Sequence, residues 1–142
     1  MTVLRLPNGD DLIEMSVAIE EDEKLQSNGD VYVTLKMQSE GFSGHNDLWM
    51  LADQMRKFAS ALVALERHLR GEAKLEYVSP NELSLKVFSV LSRGNLAIQE
   101  STGYEVVHEN RSFWHSVSFG FEIEPSQLSH TVHLPWVRRY AG

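Results

Sequence analysis

LWMLADQMRKFASALVALERHL, residues 48–69, carries apolar side chains every three or four positions. Leu48, Leu51, Ala52, Met55, Phe58, Ala59, Leu62, Leu65 and Leu69 line one side of a helix, and the polar residues between them occupy the other. The ends agree with this reading. Ser43 or Asn46 supplies a cap, Asp47 suits the positive end of the dipole, Arg67, His68 and Arg70 suit the negative end, and Gly71 stands where a left-handed residue closes a helix. Each buried Leu or Phe contributes about 1.5–3 kcal/mol, so the stripe must lie against something apolar.

The sequence before it supplies that surface. Ile13, Met15, Val17 and Ile19 alternate with Glu14, Ser16 and Ala18, the period of a half-buried strand over 12–19. Ser27-Asn28-Gly29-Asp30 is a turn signal, and Val31, Val33, Leu35 and Met37 then alternate with Tyr32, Thr34, Lys36 and Gln38. These two strands predict a hairpin. Beyond the helix, 73–78 reads as a short strand, Ser79-Pro80-Asn81 as a turn, and Leu83, Leu85 and Val87 as an inward strand face. Ser92-Arg93-Gly94 is a second turn, followed by a strand with Leu96 and Ile98 and a polar loop over 100–110. The longest alternation comes last: Phe113, His115, Val117, Phe119, Phe121 and Ile123 predict a covered, central strand. Pro125-Ser126-Gln127-Leu128 is a helix-start signal, but the residues to Trp136 do not sustain a helix and Pro135 interrupts one.

The expected fold is therefore α+β and a single domain over 1–142. It is an antiparallel sheet of about six strands in the order β-β-α-β-β-β-β, with one long amphipathic helix on one face. A chain of 142 residues suffices for one core.

Composition removes several function classes. With no cysteine there are no disulfides, thiolate zinc sites or cysteine nucleophiles, and a reducing compartment fits best, so the expected location is cytoplasmic. No segment approaches the ~20 apolar residues of a membrane span, and the first residues lack the apolar run of a signal peptide. The net charge of −7 is concentrated. Residues 1–40 hold nine acids against Arg5, Lys24 and Lys36. Such a chain suits a basic protein partner and is a poor ligand for phosphate backbones, so direct nucleic-acid binding is not expected.

Catalytic constellations are missing. His130 and His133 have a spacing that shares one helix face, but no third ligand follows. His115 sits on the apolar side of its strand, the usual place of a core histidine. The acids occur in runs, as Glu20-Glu21-Asp22-Glu23, or on outward strand positions such as Glu14, and no G-x-S-x-G elbow or phosphate-binding glycine loop is present. Neither an enzyme nor a cofactor is called for. What remains is surface recognition, with Glu14, Glu20, Glu21, Asp22 and Glu23 as an acidic edge and Tyr32 and Trp114 as aromatic anchors. The expected packing for Trp136 is a small cluster on the far sheet face.

Residues 48–69, with Gly71–Glu76, Asn81–Leu85, Gly94–Ile98, Ser116–Glu122 and Pro125–Leu128, resemble the WapI-like immunity proteins of bacterial polymorphic toxin systems. The resemblance implies a small non-catalytic protein that binds a cognate toxin domain and protects the producing cell. With the charge added, the expected toxin is a basic nuclease. The residues alone leave two other readings open. One is a ligand site or minor enzyme on the sheet face opposite the helix, using His115 or Trp114; the other is a homodimeric accessory protein pairing through a strand edge.

Overall fold

The computed structural model describes residues 2–79, 81–90 and 95–142. It holds two antiparallel sheets rather than one. Strands β1 (Thr2–Asn8), β2 (Asp11–Ile19), β3 (Val31–Ser39) and β4 (Phe42–Met50) form the first in sequential order. Strands β5 (Glu72–Glu76), β6 (Leu83–Ser89), β7 (Leu96–His108) and β8 (Arg111–Ile123) form the second, also in order. In the chain α1 (Ala52–His68) comes between the two sheets, and α2 (Pro125–Thr131) and α3 (Pro135–Ala141) close it. The α+β class and the β2–β3 hairpin agree with the sequence, Ile19 pairing with Val31 and Leu12 with Gln38. The single six-stranded sheet and the single helix do not.

Four segments account for the difference. Strand β1 contains Pro7, which hides its period, yet Asn8 pairs with Asp11 across a tight turn in which Gly9 takes φ 62°, a conformation glycine adopts without cost. Strand β4 covers residues assigned to the helix approach. Ser43, Gly44, His45, Asn46 and Asp47 are weak helix formers, and all nine residues of the strand pair along β3, from Phe42 on Ser39 to Met50 on Val31. The helix accordingly starts later, at Ala52, and neither Ser43 nor Asn46 caps it. Its first free N–H, that of Ala52, donates instead to the Asp30 carboxylate at 2.9 Å. At the other end Leu69 takes the left-handed conformation at φ 52°, and Gly71 follows at 92°.

The third segment is 100–110, which forms most of β7 rather than a loop; the strand turns at Glu109 and Asn110, both at positive φ as a two-residue hairpin of the type I′ kind requires. Strand β8 is consequently an edge strand and not a central one. The fourth is the tail. Pro125 and Pro135 each stand at the start of a helix, where a missing N–H costs nothing, so Pro135 initiates α3 instead of breaking a helix. The turn expected at 79–81 closes with Glu82 N donating to Ser79 O at 2.9 Å. The turn expected at Ser92-Arg93-Gly94 lies outside the described residues.

Both sheets and all three helices feed one core. Ile13, Met15, Val17, Val33 and Leu35 come from the first sheet, Leu75, Leu83, Leu85, Leu96 and Ile98 from the second, and Met55, Phe58, Ala59, Leu62 and Leu65 from α1. Of the expected stripe the helix buries Met55, Phe58, Ala59, Leu62 and Leu65, against β5, β6 and the terminal helices, whereas Leu48 belongs to β4 and Leu51, before the helix, is exposed. Trp136 lies inside this core and not on a far sheet face. Its ring stacks on Phe58 with centroids 6.2 Å apart and planes 16° from parallel. Tyr140 donates its hydroxyl hydrogen to Gly29 O, tying α3 to the loop between β2 and β3.

Among the described residues two buried side chains carry polar atoms without a partner, the Trp136 indole N–H and the Glu100 carboxyl. Glu100 of β7 points inward between Leu85 and Phe119, is 0% exposed, and neither carboxyl oxygen has a hydrogen-bond partner. Burial pushes its pKa up to about 8, so it is held as the neutral acid at pH 7.

Candidate functional site

The acidic residues singled out from the sequence lie on the first sheet and the loop after it. Glu14 is on the outward face of β2, pairs in register with Arg5 of β1, and its carboxylate is 3.6 Å from the Arg5 guanidinium. Glu20 to Glu23 open the loop that leads to β3. The Glu20 carboxylate accepts the Asp22 N–H at 3.0 Å, and the Asp22 carboxylate accepts the Lys24 N–H at 3.0 Å. Glu21 is paired with Arg139 of α3. The loop is closed by Glu20 N to Asp30 O at 2.9 Å and by Gly29 N to Glu20 O at 2.8 Å. The acidic edge is thus an ordered loop with part of its charge already balanced, not a free anionic tail.

Tyr32 faces outward from β3 directly opposite Trp49 of β4, ring centroids 5.5 Å apart and tilted by 55°. Desolvation, then the neighbouring Asp47 carboxylate, raise the Tyr32 phenol above its ordinary pKa. Trp49 is about half exposed, which makes the Tyr32–Trp49 pair an aromatic surface on the first sheet. Trp114 does not join it. It belongs to the second sheet, on the far half of the β7–β8 hairpin.

That far half is the feature the sequence did not reveal. Strand β6 pairs with β7 only from Leu96 to Thr102, whereas β7 continues to His108 paired with β8 alone. From Tyr104 to Ser116 every residue is exposed, so the last five residues of β7 and the first six of β8 form a two-stranded arm about 20 Å long. Pairs in register fix what each face carries. One face presents Tyr104 beside His115 and Val106 beside Phe113, and the other presents Glu105 beside Trp114 and Val107 beside Ser112. Tyr104 is 51% exposed, Val107 67%, Phe113 52% and Trp114 47%, values for apolar groups that ordinarily require a covering partner when they cluster. Phe113 and His115 are therefore surface residues, not the core residues that strand alternation predicts.

The arm is fastened at its root. Asn46 of β4 reaches across from the first sheet, its side-chain amide donating to Thr102 Oγ1 at 2.8 Å, Gly103 O at 3.2 Å and Glu82 O at 3.3 Å. Gly103 is itself closely packed, since a Cβ there would lie 2.9 Å from His115 O and 3.0 Å from Asn81 O. Gly44 likewise leaves room for Val117, whose Cγ1 would be 2.5 Å from an added Cβ. Beside the root opens a cleft of about 250 Å³ lined by Ser43, His45, Asn46, Tyr104, His115 and Ser116, among others. The Tyr104 and His115 rings stack at 5.4 Å with planes 6° apart, and His45 Nε2 lies 3.3 Å from the Asp47 carboxylate.

This arrangement offers contact area and hydrogen-bonding groups; it lacks an arranged nucleophile and base. Among the described residues no three His, Asp or Glu side chains converge as a metal site, and His130 and His133 acquire no third ligand. Among the described residues no helix is long and apolar enough to cross a membrane. The signal for the arm was present in 104–107, where Tyr104-Glu105-Val106-Val107 has strand composition, but the acids at 100, 105 and 109 made it read as a loop.

No curated protein and no solved structure matches the chain significantly. A family model does, the immunity protein WapI-like family, over residues 6–133, which takes in the end of β1 and all of β2 to β8, α1, α2 and the whole arm. The chain belongs to the WapI-like immunity protein family.

Proposed function

We propose that this protein binds and neutralises a cognate bacterial toxin domain, a basic nuclease, without catalysing a reaction itself. The observation that carries this reading is the family match across 6–133, since such a family has a toxin as its partner. The concentration of negative charge in the first 40 residues supports the basic character of that partner, because a charged patch steers an oppositely charged protein into encounter. In this reading Glu14 and Glu20 to Glu23 act at long range, and Tyr32 and Trp114 are contacts made on arrival. The ordered loop around Glu20 favours it further, as a preformed surface loses little entropy on binding.

The ligand-binding alternative has less support. The cleft that contains His115 is about 250 Å³ and open to solvent, under the roughly 300–1,000 Å³ usual for small-molecule sites.

The test is to search the neighbouring reading frames for a large secreted protein with a variable C-terminal domain and to measure binding of the purified chain to that domain. Stopped-flow association is measured from low to high salt, with the wild type and with Glu20→Lys/Glu23→Lys. The expected result is tight binding and loss of toxin activity, with association of the double variant slowed at least tenfold at low salt and nearly independent of salt. Wild type that leaves the toxin active and unbound would end the neutralisation reading. An unchanged salt dependence in the variant would end the steering role of the acidic loop.

A further inference from the structure

We propose that the free half of the β7–β8 hairpin is a two-faced insertion arm that enters a basic-walled cleft of the toxin domain and is covered there on both sides. This rests on the toxin-neutralising reading and adds the element that makes the contact. The first support is the distribution of apolar groups. Tyr104, Val106 and Phe113 project from one face and Val107 and Trp114 from the other, all between 37% and 67% exposed. A partner lying on one face would leave the second wet. Packing of a second copy face to face has that defect, as has extension of the sheet along the β8 edge, which adds a strand beside the ribbon and covers neither face. A cleft that grips the ribbon satisfies both.

Size and charge point the same way. Three half-exposed aromatic rings and two valines offer on the order of 400–500 Å² of apolar surface, about half of the ~800 Å² that one partner contributes to a standard interface. The acids that accompany the rings are Glu105, beside Trp114, and Glu109 at the tip, against Arg111 alone among the arm's Lys and Arg. They match the positive walls of a cleft that binds nucleic acid, and a filled cleft is a blocked one. The arm is also ready to insert. The Asn46 amide bonds, the close contacts at Gly103 and the Tyr104–His115 stack fix its direction before a partner arrives.

The experiment uses the full chain and, as probe, the same C-terminal domain from the neighbouring reading frame. Phe113→Ser and Trp114→Ser each remove an exposed ring from a different face, so melting temperature should stay at the wild-type value. Each should weaken binding at least tenfold, and the double variant at least a hundredfold. Wild-type binding with both variants within twofold of it would overturn the insertion arm while leaving neutralisation intact. Loss confined to one variant would overturn two-faced insertion in favour of a one-sided dock. A wild type that dimerises through a contact abolished by Trp114→Ser would give the arm to a second copy and overturn the toxin cleft as its occupant. Failure of the wild type to bind the probe at all would strike the underlying reading instead.

Discussion

The two halves of the β7–β8 hairpin share one ladder and live in opposite environments. Near the sheet, Leu96, Ile98 and Thr102 are buried and β6 covers one edge of the pair; beyond Gly103, every side chain through to Ser116 is in water. Alternation is the same in both halves, so period alone cannot tell a strand that builds the core from one that leaves it. The neighbour decides. Where β6 stops, the same pattern changes from packing to display.

Changes in the buried half should act on stability. The largest effect expected is that of pH on Glu100. Its pKa of about 8 in the folded state exceeds the 4.5 of a free glutamate, so between those values the folded chain holds a proton that the unfolded chain has lost. Stability therefore falls as pH rises from about 4.5 and levels off above 8, with a total loss on the order of 5 kcal/mol. Urea midpoints measured from pH 5 to 9 should show this fall in the wild type and a much flatter profile in Glu100→Gln. A wild-type profile as flat as that of the variant would refute a buried neutral acid. Next, Ile98→Ala, which opens a cavity in the shared core, should cost about 2–5 kcal/mol in the same assay. An effect equal to that of an exposed substitution would erase the distinction between the halves.

The smallest effect lies at the junction. Asn46→Ala removes the amide that joins the first sheet to the root of the arm, and a loss of about 1–2 kcal/mol is expected from the hydrogen bonds lost to Thr102 Oγ1 and Gly103 O, although the Thr102 hydroxyl still donates to Glu82 O. Hydrogen exchange should quicken in the amides of 103–116 more than in those of 96–102. Uniform change along the hairpin would mean that Asn46 does not separate them.

How much of this was legible follows the same division. The buried stripe of α1 and the β2–β3 pairing could be read because period and burial coincide there, residue for residue from Met55 to Leu65 and from Ile13 to Met37. Strand β4 could not, because Leu48 stands three and four residues before Leu51 and Ala52, a spacing that fits a helix, and pairing with β3 overrides it. Glu100 and Glu105 disguised β7, the first being an acid in a core position that composition never suggests. Of the candidate contacts, Trp114 was recognisable as outward-facing. Phe113 was not, since nothing local announces that a strand has outrun its neighbours. Trp136 needed α3 to bring it onto Phe58, a meeting of residues 78 positions apart.

The Asp30 carboxylate that receives the Ala52 N–H has a mechanical consequence. It pins the far end of the acidic loop to the start of α1, while Tyr140 of α3 holds the adjoining Gly29. A pull on that loop is therefore borne by the main helix and by the last helix together. A protein gripped there would resist peeling as a unit, so a complex formed through this loop should come apart by sudden rupture and not by gradual fraying.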